Sequence, residues 1–110
     1  MFKTKDPQGR EISLSKETWH QHISVNHPEL KGSLPIIQSA VENPNIIATS
    51  STRPSDSIVY LSTHSGRTNL VIKVAVCLGT DTQGDVSTAM LQKDMLQGAQ
   101  IPGGILYAKK

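Results

Sequence analysis

Leu70-Val71-Ile72-Lys73-Val74-Ala75-Val76-Cys77-Leu78 decides the fold class. The run is apolar and rich in β-branched side chains, and its hydrophobic period is two, so it reads as the central strand of a sheet spanning 69–78. Successive side chains of a strand point to opposite faces. Leu70, Ile72, Val74, Val76 and Leu78 therefore look one way, toward expected helices. Val71, Lys73, Ala75 and Cys77 look the other way. That second face has less bulk and one cation, Lys73, either a solvated charge or the floor of an anion-binding cleft.

The flanking sequence extends the sheet. Segments 46–50, 57–62 and 86–92 alternate in the same way, and the links at 53–56, 63–66 and 79–84 are short and polar. Short successive links imply an antiparallel meander. At the start of the chain, Phe2-Lys3-Thr4 and Glu11-Ile12-Ser13-Leu14 alternate around Asp6-Pro7-Gln8-Gly9, which predicts a hairpin over 1–14. Ser15 is a natural N-cap for a helix that buries Trp19 and Ile23 and stops near Asn26, because Pro28 disfavours helical geometry at His27. A second helix is expected over 33–42, capped by Ser33, with Ile36, Ile37, Ala40 and Val41 on its apolar face. The tail around Leu106-Tyr107 is a last edge strand or an ordered flap. The resulting expectation is an α+β single domain over 1–110, an N-terminal hairpin and two helices packed on a four-stranded antiparallel sheet.

Composition narrows the class further. A chain of 110 residues with 36% hydrophobic and 4% aromatic content has room for one core built on Ile, Val and Leu, with Trp19 its largest piece. The net charge of +2 permits a nucleic-acid partner without announcing one. The lone Cys77 has no internal disulfide partner, and no run reaches the length of a membrane span or has the form of a signal peptide. A soluble cytoplasmic protein is expected.

Chemical capability concentrates in Trp19-His20-Gln21-His22-Ile23-Ser24-Val25-Asn26-His27-Pro28-Glu29-Leu30. Histidine titrates nearest neutrality, so this cluster can carry protons. Metal binding fits poorly, since His20 and His22 fall on opposite sides of a helix and no zinc-type triplet accompanies them. Neither a Gly-x-Ser-x-Gly elbow nor a phosphate-cradling glycine loop is present. What remains is His22 at the edge of a buried face, His27 in a turn, Arg53 in a loop, Lys73 in the central strand, and Thr88 in the last strand. These offer a proton carrier, fixed cations and a hydroxyl with no cofactor. Cleavage of RNA by its own 2′-hydroxyl needs such a set: a base, an acid for the departing 5′-oxygen, and cations for the charge on phosphorus.

Trp19-x-x-His22-Ile23-x-x-x-His27-Pro28-Glu29-Leu30 resembles the signature of small phage- and toxin-associated nuclease-like domains of the barnase–EndoU–colicin–RelE (BECR) superfamily. Asn43-Pro44-Asn45-Ile46-Ile47, Arg53, Tyr60, the strand around Lys73 and Val86-Ser87-Thr88-Ala89 follow in similar order, so the likeness spans 12–92. Met90 stands where an aromatic is usual. The resemblance implies a helical segment on a four-stranded antiparallel sheet and a metal-independent endoribonuclease acting on RNA, tRNA among the candidates, in toxin or phage conflict. It implies His22 as general acid/base and His27 as its positioner or partner. Arg53 and Thr88 would hold the scissile phosphate, with Lys73 for the RNA backbone and Tyr60 for base stacking. Ser87 competes with Thr88, because a one-residue register shift exchanges strand faces. A cognate inhibitor protein is the partner expected of a toxin. The alternative is a catalytically inactive nucleic-acid- or protein-binding module on the same scaffold.

Overall fold

The computed structural model describes residues 2–23, 25, 32, 34–51, 55–64, 67–95 and 104–109, with the backbone alone for His22, His64 and 67–69. The first hairpin forms as its alternation predicts: β1 (Phe2–Lys5) pairs antiparallel with β2 (Glu11–Leu14). Asp6 builds the turn. Its Oδ1 accepts the backbone N–H groups of Gln8 and Arg10 at 2.9 and 2.8 Å, and Gly9 supplies the left-handed conformation at φ +87°.

Ser15 then caps a short helix, α1 (Lys16–Thr18), its side chain accepting the Thr18 N–H at 3.1 Å. The helix loosens at once into a π-helical turn, Trp19–Ile23. Trp19 and Ile23, spaced to share one face, are both buried in the main core. A second helix, α2 (Leu34–Glu42), buries Ile37, Ala40 and Val41. The expected cap at Ser33 and the helix stop at Asn26 lie outside the described residues.

Five further strands follow: β3 (Ile46–Thr49), β4 (Ser57–His64), β5 (Arg67–Thr80), β6 (Gln83–Gln92) and β7 (Ile105–Ala108). They do not make the expected four-stranded antiparallel sheet. The sheet has seven strands in the order β1-β2-β6-β5-β4-β3-β7, and one pairing, β2 with β6, is parallel. The four-strand expectation, and the same fold implied by the BECR resemblance, is corrected on two counts. The hairpin is no separate layer: Glu11, Ile12 and Ser13 pair with Gln83, Gly84 and Asp85, which adds both its strands to the free edge of β6. The tail extends the other edge, where Ile105, Tyr107 and Ala108 pair with β3. Among the described residues the helical layer is slight, formed chiefly by three residues of α1, the π turn and nine of α2.

The main core fills the sheet face that carries the helices. Ile72, Val74 and Val76 of β5 meet Ile12, Leu14, Trp19, Ile23, Ile37 and Val41, in agreement with the alternation of the central strand. A smaller cluster, Ala48, Val59, Leu61 and Val71 with Met95 against it, lies on the second face. The sheet also curls. Gln8 Nε2 donates to the Leu106 carbonyl at 2.9 Å, which joins the β1–β2 turn to β7 although these stand at opposite ends of the strand order. Among the described residues, no helix is long and apolar enough to cross a membrane.

Candidate functional site

The second face of the sheet holds the chemistry. Lys73, Ala75 and Cys77 of β5 lie there between Ser57 and Val59 of β4 and Ser87, Thr88 and Met90 of β6. With Ser50 and Ser51, just after β3, they line a concavity of about 320 Å³. That volume is near the lower end of small-ligand sites. Five of these residues carry hydroxyls, and one carries a cation.

A β-bulge shapes the β6 side. Ala75 pairs with Thr88 but Val76 pairs with Val86, so Ser87 is an extra residue in the ladder. Two residues of a bulged strand then oppose one of its partner. Ser87 and Thr88 consequently both line the concavity, where strict alternation would send one of them to the core. The Ser87 hydroxyl is anchored to the Ala75 carbonyl at 3.1 Å. The Thr88 hydroxyl makes no hydrogen bond among the described residues.

On the opposite wall the chain closes back on itself, the Ser50 N–H donating to the Ser57 carbonyl at 2.9 Å. Ser57 Oγ donates to Asp56 Oδ1 at 3.3 Å and lies 3.6 Å from Cys77 Sγ. Lys73 stands among these groups without a counter-ion, for it makes no ion pair among the described residues. Burial pushes its ammonium below the ordinary 10.5, because partial desolvation disfavours the charged form. A half-buried cation ringed by hydroxyls is matched by an anion with several acceptor oxygens.

The candidate residues therefore separate. Lys73, Ser87 and Thr88 come together in one concavity. Tyr60 does not join them. It is fully buried in the main core, on the other face of the sheet, and its hydroxyl donates to Asp6 Oδ2 at 2.5 Å. A phenol so enclosed has no exposed face for a base to stack on, and burial with the Asp6 carboxylate beside it raises its pKa far above the usual range. His22 belongs to the π turn, whose buried neighbours Trp19 and Ile23 are in the helix-face core, so that turn and Lys73 stand on opposite faces. The His22 side chain, His27 and Arg53 lie outside the described residues.

Ser50, Ser51 and Ser57 are hydroxyl-bearing lining residues that sequence reasoning does not single out, and Cys77 is placed by it on the Lys73 face without a role in a site. Ser57 and Cys77 are paired across β4 and β5, a signal available only once the register is known. Among the described residues, no group of three or more His, Cys, Asp or Glu could hold a metal ion. Compared with known proteins, the chain matches no family model, no curated protein and no solved structure.

Proposed function

We propose that this protein engages RNA by holding a backbone phosphate in the Lys73 concavity, and that it cleaves the bound strand without a metal through attack of the 2′-hydroxyl. The observation that carries the reading is Lys73 itself: a half-buried ammonium with no ion pair among the described residues, set among the hydroxyls of Ser50, Ser51, Ser57, Ser87 and Thr88. A phosphodiester offers the charge and the acceptor oxygens that this set would satisfy. No aromatic side chain is among the described lining residues, so recognition by charge and hydrogen bonding to the backbone is favoured over stacking on a base. The cleavage step, tRNA as a substrate and an inhibitor covering Lys73 follow from the resemblance to the BECR nucleases and belong to the proposal with it, as does the cytoplasmic setting expected from the lone Cys77.

Binding without cleavage is a second reading with an observation of its own. The turn that carries His22 is on the helix face, and the concavity is on the other. Incubation of total tRNA in EDTA with the wild type and with Lys73→Ala, Thr88→Ala and His22→Ala variants separates the readings. Fragments with 2′,3′-cyclic phosphate ends, diminished by Lys73→Ala and Thr88→Ala, are expected. RNA retained by the wild type and uncut would leave the binding module. A folded wild type that neither retains nor cuts RNA would remove both.

A further inference from the structure

We propose that Lys73 is the proton donor of the cleavage reaction, the group that protonates the departing 5′-oxygen, and not only an anchor for the phosphate; this rests on the RNA-cleavage reading above. Three features of the site support it. Lys73 and Cys77 are the titratable side chains among the described lining residues, and only Lys73 is a cation. The ammonium sits mid-strand and half-buried, flanked along its own face by Val71 and Ala75 and directly opposite Leu61 on β4 and Met90 on β6. Its surroundings are thus apolar at the base and hydroxyl-lined at the rim. Thr88 lies two pairing steps further along β6, opposite Ala75 and on the same face as Lys73, with the bulged Ser87 beside it, where a phosphate oxygen held by Thr88 would stand near the lysine.

The step balances as follows. The 2′-oxygen forms a bond to phosphorus as its proton leaves to water. The bond from phosphorus to the 5′-oxygen breaks, and that oxygen takes a proton from the Lys73 ammonium. The neutral amine regains a proton from water. The products are a 2′,3′-cyclic phosphate and a 5′-hydroxyl, with nothing oxidised or reduced. Partial desolvation favours the role, since an ammonium below the ordinary 10.5 surrenders its proton more readily. Few other charges complicate the titration. β4 brings Ser57 and Val59 to the lining, β6 brings Ser87, Thr88 and Met90, and the segment after β3 brings Ser50 and Ser51. The carboxylates on or next to these elements are Asp56, hydrogen-bonded to Ser57, Asp85, paired with Cys77, and Asp94, just after β6, whose carbonyl accepts from Gln92.

The test compares the wild type with Lys73→Arg, which keeps the charge and cannot give up its proton. Binding is read with a short 2′-O-methyl RNA of random sequence, which cannot be cut, and cleavage with the unmodified RNA over a range of pH. Lys73→Arg is expected to bind the methylated RNA about as well as wild type and to lose roughly a hundredfold or more in kcat. The wild-type rate should fall on the alkaline side with a midpoint below 10.5, matching the midpoint of a Lys73 side-chain NMR titration, and Lys73→Arg should lack that limb. If Lys73→Arg cleaves with near-normal kcat, or the limb and the titration disagree, the proton-donor role is overturned while the nuclease reading stands. If the wild type binds methylated RNA and never cuts the unmodified strand, the cleavage reading falls and this role falls with it.

Discussion

The two faces of β5 treat polar groups in opposite ways. On the helix face Tyr60, a deeply buried polar side chain of the neighbouring strand β4, is satisfied from within the chain. Its hydroxyl donates to Asp6, Asp6 also pairs with Arg10 at 3.0 Å, and Arg10 reaches Gln8, which in turn holds β7. On the second face, Lys73 of β5, next to the Val74 that pairs with Tyr60, has no such closure among the described residues. The Tyr60–Asp6 bond helps to fix one structure, whereas a cation with no ion pair among the described residues, beside the Thr88 hydroxyl, is poised for a partner. The contrast separates the groups that build this molecule from those that can act on another.

The largest effect should come from breaking the helix face. Ile72 is 1% exposed, and Ile72→Ala should cost about 2–5 kcal/mol in chemical denaturation. Its neighbour Lys73→Ala should stay within about 0.5 kcal/mol of wild type while losing retention of RNA on a filter. Comparable destabilisation by the two substitutions would erase the distinction between the faces. Tyr60→Phe comes next. It leaves the ring in place and removes one hydrogen bond to a buried carboxylate, an expected loss of about 1.5–3 kcal/mol with RNA retention unchanged. A loss of retention at unchanged stability would put Tyr60 back among the binding residues.

Lys73→Met sharpens the comparison through pH. The folded-state pKa of Lys73 lies below its unfolded value, so the unfolded chain binds more protons through the window between them and stability rises with pH there. The cost of holding the charged lysine is complete below that window and fades as pH climbs toward 10.5. Lys73→Met should therefore be more stable than wild type at neutral pH, by on the order of a few tenths of a kcal/mol because solvent screens a half-buried group. The advantage should shrink in alkali. A gain that grew with pH would mean that Lys73 has a stabilising partner.

Much of this was readable from local pattern. Alternation in 69–78 sorts Lys73 from the core residues, the Asp6–Gly9 turn announces the first hairpin, and Ser15 announces a helix start. Pairings between distant segments leave no such trace. Nothing local tells β2 to lie parallel to β6, about seventy residues on, or β7 to pair with β3, and those two pairings turn a four-stranded expectation into a seven-stranded sheet. Tyr60 misled for the same reason, since its partner Asp6 is 54 residues away. The choice between Ser87 and Thr88 assumed an unbroken period of two, and the bulge removes the choice by keeping both on one face. The histidine-rich segment contributes its turn, with Trp19 and Ile23, to the described core.

The smallest effect tests the helix face at its rim, where the first strand meets α2. The Thr4 hydroxyl donates to Glu42 Oε2, and Gln38 Nε2 donates to the same oxygen at 3.0 Å. These bonds, Thr4 first, hold the Glu42 carboxyl below the ordinary 4.5. A carboxylate whose folded pKa is depressed stabilises the fold above its unfolded pKa, and that contribution disappears as pH falls through the folded value. Thr4→Val should then cost a few tenths of a kcal/mol at neutral pH, as expected for a solvent-screened contact. The difference between variant and wild type should close in acid below 4.5. A difference that persists unchanged into acid would assign the loss to packing of β1 against α2 and leave the Glu42 carboxylate without a part in joining them.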